Sequence, residues 1–131
     1  MVVITAEMKT LIKAGLCMVA TAGKEGYPNI GPKGSVMVLD DSTLAFGELV
    51  GGRTYANLKE NPKAAIAVVD PETRVGYRFV GTVQLETEGS LYDKFAERFE
   101  KMKLPRPVAA VKVALEAIYD VSVKNAGKKI G

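Results

Sequence analysis

A glycine pair followed by an arginine and a threonine is the part of the sequence best suited to bind a ligand: Gly51, Gly52, Arg53 and Thr54. The run RTYANLKEN, which begins at Arg53, has the composition of a short helix. The first turn of a helix carries unpaired N–H groups and a partial positive charge, and glycine lets the backbone before it approach a ligand closely. An arginine and a hydroxyl at this point predict a socket for a phosphate group. The alternative is an ordinary strand-to-helix connection whose arginine is solvated.

The chain has no histidine, which restricts the chemistry that its side chains can perform. Catalysis by Ser-His or Cys-His pairs is excluded, together with most zinc chemistry, and we predict no metal site. The usual acid–base group at neutral pH is also missing. A reaction would therefore depend on a bound cofactor, or on lysine, tyrosine and carboxylate side chains.

Length and composition are those of one soluble domain spanning residues 1–131, with 47% apolar and 25% charged residues. The net charge is only +3 and acidic residues are interleaved with basic ones, so we predict no nucleic-acid partner. The one cysteine, Cys17, lies in an apolar run, which favours a buried residue in a cytoplasmic protein. The longest apolar run, Ala64 to Val69, is too short to cross a bilayer, so no membrane partner is predicted.

The hydrophobic pattern predicts about six strands and two or three short helices. Polar and apolar residues alternate from Tyr77 to Glu86, where Gly81 indicates a bulge. The unbroken apolar run from Ala64 to Val69 predicts a strand covered on both faces. Thr5 and Ser90 are suited to cap helices. The pattern is typical of an antiparallel meander that curls into a small barrel, an α+β fold that is mainly β.

The stretch from Pro32 to Pro62 resembles the pyridoxamine 5'-phosphate oxidase-like flavoproteins, which are FMN-binding split barrels. In that family a strand opens with a basic residue, a second strand lies against the flavin, and a phosphate-binding pair then opens a helix. Here Lys33 is taken to open the first strand, and Phe46, Gly47 and Glu48 end the second. The resemblance covers most of the chain and implies a six-stranded antiparallel split β-barrel with short flanking helices.

The resemblance also implies FMN as the cofactor and assigns the residues that bind it. Lys33 and the backbone amides of residues 34–36 would contact the flavin, with the Ser35 hydroxyl as a further donor. The pair that ends the second strand would flank the ring, and the residues at the helix start would hold the phosphate. The implied cofactor-binding residues are Lys33, Gly34, Ser35, Val36, Gly47, Glu48, Gly51, Gly52, Arg53, Thr54 and Asn57.

Two of these positions depart from the family pattern. Thr54 stands where the oxidases themselves have a lysine, which removes one positive charge. A carboxylate at Glu48 would be repelled by a phosphate or a reduced flavin by about 1–4 kcal/mol at a separation of ~4 Å. We therefore expect Glu48 to turn outward or to pair with Arg53. The oxidases hold pyridoxamine phosphate with an Arg-x-His motif, so a chain without histidine is not expected to oxidise that substrate.

The expected function is that of an FMN-binding flavoprotein of oxidoreductase type, with its catalytic residues and substrate unidentified. The resemblance implies a homodimer with the flavin at the subunit interface and a small-molecule or electron-transfer partner. Two alternatives remain open. The first is a deazaflavin- or haem-binding split barrel that uses the same groove, and the second is a cofactor-free small barrel that acts as a binding module.

Overall fold

Eight strands, three α-helices and one turn of 3₁₀ helix (Val123–Asn125) make up the computed structural model, which describes residues 2–131. The helices are α1 (Ala6–Ala14), α2 (Arg53–Glu60) and α3 (Ser90–Lys101). The strands are β1 (Cys17–Ala22), β2 (Pro28–Lys33), β3 (Met37–Asp40), β4 (Thr43–Glu48), β5 (Lys63–Val69), β6 (Gly76–Glu86), β7 (Ala109–Asp120) and β8 (Lys128–Lys129).

The prediction of six strands was too low by two. Strand β8 consists of two lysines, and a pair of charged residues carries no hydrophobic alternation. Strand β2 contains Pro28 and Pro32, which interrupt the pattern of a regular strand and suit only an edge. Lys33 ends β2 rather than opening a strand, because Gly34 and Ser35 form a turn before β3 begins.

The strands form one antiparallel sheet that curls into a barrel with an open seam. Their order is β2-β1-β5-β6-β7-β4-β3, with β8 added to β7. Strands β2 and β3 lie at opposite ends of this order, although only residues 34–36 join them along the chain. The sheet must therefore curve until its two edges approach, and within residues 2–131 no backbone ladder pairs β2 with β3. The predicted antiparallel split barrel is confirmed.

Alternate residues of the strands fill the barrel interior. One layer of the core runs across four strands, because Val19 of β1 pairs with Ile66 of β5, which pairs with Phe79 of β6. Phe79 in turn pairs with Ile118 of β7, and all four side chains are 0% exposed. Burying each such side chain contributes about 1.5–3 kcal/mol to folding. The core is thus continuous from β1 to β7.

A bulge bends the longest pair of strands, β6 and β7, at Gly81. The register shifts between Val80 and Gly81, which leaves Glu116 of β7 without a partner. A Cβ atom on Gly81 would lie 2.2 Å from the carbonyl oxygen of Ala114, so only glycine fits. The predicted bulge is confirmed, and it gives the sheet part of the curvature that the barrel requires.

Strand β5 is covered by the core on one face, and its cover by a partner chain on the other face stays a prediction. Its inward side chains, Ala64, Ile66 and Val68, are at most 6% exposed. On the outward face Ala65 and Ala67 are only partly buried, and Val69 is 47% exposed. The apolar run is unbroken because small alanines, rather than polar residues, occupy the outward positions.

A buried ion pair joins the two sides of the seam. The Nζ atom of Lys33, at the end of β2, lies 2.9 Å from Oε1 and 3.1 Å from Oε2 of Glu48, at the end of β4. Only Oε2 accepts a well-aligned hydrogen bond, and the contact with Oε1 is electrostatic. The Glu48 side chain is 1% exposed. The expectation that it turns outward or pairs with Arg53 was wrong, because Lys33 reaches it from the facing strand and neutralises it inside.

Removing the positive charge at the seam should destabilise the barrel. In Lys33→Met the Glu48 carboxylate stays buried without its partner, at a cost of about 3–5 kcal/mol in the free energy of unfolding. The double variant Lys33→Met/Glu48→Gln should recover most of that loss. Chemical denaturation measures both. The control Lys9→Met breaks the exposed pair between Lys9 and Asp41, for which about 0–1 kcal/mol is expected. Equal losses in Lys33→Met and Lys9→Met would contradict a structural role for the buried pair.

Candidate functional site

Helix α2 begins at Arg53, after the glycine pair, as the sequence predicts. Gly51 has a φ of +65°, a left-handed conformation that favours glycine. Gly52 is the N-cap, no side chain caps the helix, and its first turn has no acidic residue. The N–H groups at this helix start are therefore left for an external acceptor or for water.

Arg53 lies exposed at the start of α2 and forms no ion pair with any of residues 2–131. It lines a cavity of about 400 Å³ together with Lys24, Tyr27 and Asn57. Glu60 lines the same cavity, and one of its carboxylate oxygens accepts a hydrogen bond of 2.9 Å from the backbone N–H of Lys24. Glu25 also lines it, so two cationic and two acidic side chains meet here. The part that Lys24 plays was not predictable from the sequence, because nothing in a turn residue signals that it lies beside a helix start far along the chain.

Thr54 and Asn57 are buried and hold α2 against the β1–β2 hairpin. The Thr54 hydroxyl accepts a hydrogen bond of 3.1 Å from the side-chain amide of Asn29, and Thr54 is 6% exposed. The amide of Asn57 donates a hydrogen bond of 3.1 Å to the hydroxyl of Thr21. These contacts fix the direction of α2 and with it the position of Arg53.

The face of β2 that carries Asn29, Gly31 and Lys33 runs from the start of α2 to the buried ion pair. These three residues alternate with exposed ones along the strand. A Cβ atom on Gly31 would meet nothing within 4 Å, so the middle of this face is open. From Asn29 to Lys33 the strand spans about 13 Å. The seam therefore offers a slot with polar groups at both ends and bare backbone between them.

A second cavity, of about 300 Å³, lies at the ion-pair end of the slot and is lined in part by Lys33, Gly34 and Ser35. The Ser35 hydroxyl accepts a hydrogen bond of 2.9 Å from the N–H of Gly47 and donates one of 3.4 Å to its carbonyl oxygen. The guanidinium of Arg98 donates to the carbonyl oxygens of Gly34 and Ser35, at 3.4 and 3.3 Å. The sequence did not predict that Arg98 belongs to this site. The only feature that distinguishes it in the sequence is its position next to Phe99, which lies in the buried stripe of α3.

Gly47 is a glycine because α3 packs directly on it. A Cβ atom there would lie 2.7 Å from Cζ of Phe99. Packing alone therefore accounts for this residue, whatever its role toward a ligand. Val36 is 8% exposed and belongs to the barrel core. The residues assigned to the site thus gather in two groups at the ends of the seam, one around Lys33 and one around Arg53.

Other chemistry receives little support from the structure. Among residues 2–131 no three His, Cys, Asp or Glu side chains lie close enough to hold a metal ion. Burial raises the pKa of the Cys17 thiol to about 11, so it is a poor nucleophile at neutral pH. No helix in this part of the chain is both long and apolar enough to cross a membrane. The cytoplasmic location and the lack of a nucleic-acid partner stay predictions.

Comparison with known proteins agrees with this fold. Residues 4–122 match the family described as pyridoxamine 5'-phosphate oxidase. The uncharacterized protein MJ0282 of Methanocaldococcus jannaschii is 31% identical over 132 residues, which cover 97% of this chain and 87% of that protein. The crystal structure of HupZ from Group A Streptococcus has a TM-score of 0.88 at 40% identity, covering 98% of this chain and 99% of that one.

More distant structures share the fold. An FMN-binding protein from Syntrophomonas wolfei has a TM-score of 0.77 at 22% identity, covering 88% of this chain and 84% of that one. An F420 reductase has a TM-score of 0.65 at 22% identity, covering 84% and 94%. Because the match to the family runs from residue 4 to residue 122 and the split barrel agrees with it, this chain belongs to the pyridoxamine 5'-phosphate oxidase family.

Proposed function

We propose that this chain binds FMN in the seam of the barrel and acts as a small flavin-dependent oxidoreductase. The observation that carries the proposal is Arg53, an exposed arginine without an ion pair among residues 2–131 at a helix start that no side chain caps. A phosphate there would receive a charge-assisted hydrogen bond from the guanidinium and further bonds from the backbone. The shared fold of the FMN-binding protein from Syntrophomonas wolfei supports the choice of cofactor.

The seam fits a flat aromatic ligand. Cβ atoms on Gly31, Gly34 and Gly52 would each meet nothing within 4 Å, so a ring can approach the backbone at these positions. When bound, FMN supplies reversible transfer of an electron pair, while the protein binds it and sets its electrostatic surroundings. Lys33 and Glu48 form a nearly neutral pair at one end of the slot, so the carboxylate adds little repulsion toward a reduced flavin. Oxidation of pyridoxamine phosphate is not proposed, because the chain has no histidine.

The alternatives differ from FMN in measurable ways. Haem held by a histidine is excluded, since none of the 131 residues is histidine. A deazaflavin would occupy the same seam, and an F420 reductase shares the fold. The absorption spectrum of the purified protein, together with mass identification of the released cofactor, separates FMN from a deazaflavin. A colourless protein that does not bind added FMN would support the cofactor-free binding module instead.

The second part of the proposal is a homodimer that covers the outer face of the sheet. By outer face we mean the outward side chains of β1, β2 and β5: Met18, Ala20, Ile30, Ala65 and Ala67. Ile30 is 66% exposed, and it lies in one row with Ala20 and Ala65. A surface of alanines and larger apolar residues is suited to close contact with a second copy of the chain.

Loss of the Arg53 guanidinium should weaken binding of FMN but not of riboflavin. A charge-assisted contact contributes roughly 1.5–3 kcal/mol, so Arg53→Ala should raise the dissociation constant of FMN about 10- to 150-fold. Riboflavin, which lacks the phosphate, should lose little affinity. Lys59→Ala removes the same charge from the last turn of α2 and should leave both affinities unchanged. Isothermal titration of the wild-type protein and both variants gives all six dissociation constants, and an equal loss for FMN and riboflavin in Arg53→Ala would rule out the phosphate contact.

Changes to the seam ion pair should shift the midpoint potential of bound FMN in opposite directions. Glu48→Gln leaves the Lys33 charge uncompensated, which favours the more negative reduced form and raises the potential. Lys33→Met leaves the negative charge of Glu48 uncompensated, which disfavours the reduced form and lowers the potential. For a two-electron couple, about 1.4 kcal/mol corresponds to roughly 30 mV. Titration against a reference dye measures the shifts. If neither variant moves the potential, the pair does not face the flavin ring.

A charge on the outer face should dissociate the dimer. Ala67→Glu adds a carboxylate to the half-buried middle of this face and should convert a dimer to a monomer at micromolar concentration. Gln84→Glu adds the same group at an exposed position near the far end of β6 and should leave the dimer intact. Sedimentation velocity distinguishes the two states. A wild-type protein that is monomeric at this concentration with FMN bound would contradict the dimer.

A further inference from the structure

A cavity of about 570 Å³ lies at the end of the barrel where β6 begins and β7 ends. Residues from the first turn of α1, the turn before β6 and the 3₁₀ turn after β7 surround it. Its volume falls within the range of pockets that bind small organic molecules, roughly 300–1,000 Å³. None of its lining residues also lines the cavity at Arg53 or the one at the ion-pair end of the slot. The proposed flavin site therefore does not account for it.

Tyr77 forms part of the cavity wall and is a buried residue with a polar end. It is 7% exposed, and its ring belongs to the barrel core, with its centroid 6.4 Å from that of Phe79. Its hydroxyl forms no well-aligned hydrogen bond with any of residues 2–131 and is only in loose contact with the carboxylate of Glu7. A phenylalanine would fill the core equally well. The hydroxyl is therefore available to a group that enters the cavity.

Two carboxylates lie near the Tyr77 hydroxyl. Burial raises the pKa of the Tyr77 phenol, and the negative charges of Glu7 and Asp120 raise it further, so the hydroxyl stays protonated at neutral pH. Asp120 is held in place by hydrogen bonds of 2.9 Å from the N–H of Ser122 and 3.0 Å from the side-chain amide of Asn125. An ionised carboxylate accepts up to about four hydrogen bonds, so Asp120 keeps free lone pairs. A hydroxyl beside two carboxylates is suited to an ammonium group, which has three donors.

Two basic residues, Arg74 and Lys124, line the same cavity. Both are exposed, and neither forms an ion pair with Glu7, Asp120 or any other of residues 2–131. Charges of opposite sign thus surround one cavity without neutralising one another. A simple cation would be attracted by the carboxylates and repelled by the basic residues, so its net gain would be small. A ligand that carries both charges can be attracted at both of its ends.

The charged residues also have roles that need no ligand. Asp120 fixes the turn after β7, and Glu7 lies in the first turn of α1, where a negative charge stabilises the helix. Arg74 and Lys124 are exposed, so water solvates their charges. None of these roles uses the hydroxyl of Tyr77, which the core does not need. This hydroxyl is the feature that favours a binding site over an ordinary polar surface.

We propose that this cavity binds a small zwitterion, an α-amino acid with an apolar side chain. The ammonium group would lie beside the Tyr77 hydroxyl and the carboxylates of Glu7 and Asp120. The carboxylate would lie beside Arg74, whose planar guanidinium can donate two parallel hydrogen bonds to it. The apolar side chain would cover Val123, which lines the cavity and is 74% exposed. Binding here does not depend on which cofactor the seam holds.

The test uses the full chain and three ligands with the same carbon skeleton, in titrations followed by NMR. L-Leucine carries both charges, isoamylamine lacks the carboxylate, and isocaproate lacks the ammonium group. Leucine should bind with a dissociation constant of about 1 mM or lower, which a ligand of this size reaches at ordinary efficiency. Each analogue should bind about fivefold more weakly, the Coulomb effect of one charge at ~4 Å in a water-like medium.

Variants assign each end of the ligand. Tyr77→Phe keeps the ring in the core and should weaken leucine and isoamylamine roughly 2- to 12-fold, the effect of one hydrogen bond, but not isocaproate. Arg74→Gln should weaken leucine and isocaproate about fivefold, but not isoamylamine. The controls Tyr119→Phe and Lys63→Gln remove the same groups outside the cavity and should change none of the three affinities.

The outcomes also separate this site from the flavin site. Equal losses in Tyr77→Phe and Tyr119→Phe, or in Arg74→Gln and Lys63→Gln, would overturn the proposal. A wild-type protein that does not bind leucine at about 10 mM would overturn it as well. Isoamylamine that binds as tightly as leucine would indicate a site for cations alone and reject the zwitterion. Tyr77→Phe should keep its affinity for FMN, and a chain that binds no FMN would still be expected to bind leucine.

Discussion

Lys33 and Glu48 face each other across the one place where the sheet, as described for residues 2–131, has no backbone ladder to hold it. Taking two charges out of water costs several kcal/mol per ion, so such a pair contributes little net stability. What it does supply is a fixed distance between the end of β2 and the end of β4. The slot beside it has a defined width because these two strand ends cannot drift apart without leaving a buried carboxylate unpaired.

Further hydrogen bonds hold the turn after β2 and the start of α2, which lie at opposite ends of the slot. Ser35 is hydrogen-bonded to Gly47, the neighbour of Glu48, and Arg98 holds the same turn from α3. At the other end, buried contacts of Thr54 and Asn57 fix α2 against the hairpin. The exposed Arg53 is therefore presented from a rigid base, an arrangement that lowers the entropic cost of ordering a ligand contact.

Local features were predictable from the sequence, and long-range partners were not. The bulge at Gly81, the cap at Thr5 and the helix start at Arg53 depend on the residue itself and its immediate neighbours, and all three are confirmed. The cap predicted at Ser90 was wrong, because Gly89 is the N-cap of α3 and no side chain caps that helix. The partner of Glu48 was assigned wrongly, since Lys33 lies on another strand and no spacing rule joins them. Arg98 and Lys24 were missed for the same reason.

The two prolines of β2 have a consequence for how the seam meets other proteins. Proline has no N–H, so the donors that β2 gives to β1 must come from Asn29, Gly31 and Lys33. The backbone groups of the alternate residues, Pro28, Ile30 and Pro32, point toward the free edge. Among these three residues only Ile30 has an N–H group that can donate a hydrogen bond there. A foreign strand would find one donor along six residues. The edge is thus protected against strand addition and amyloid-like stacking, while a small molecule, which needs no ladder, keeps its access.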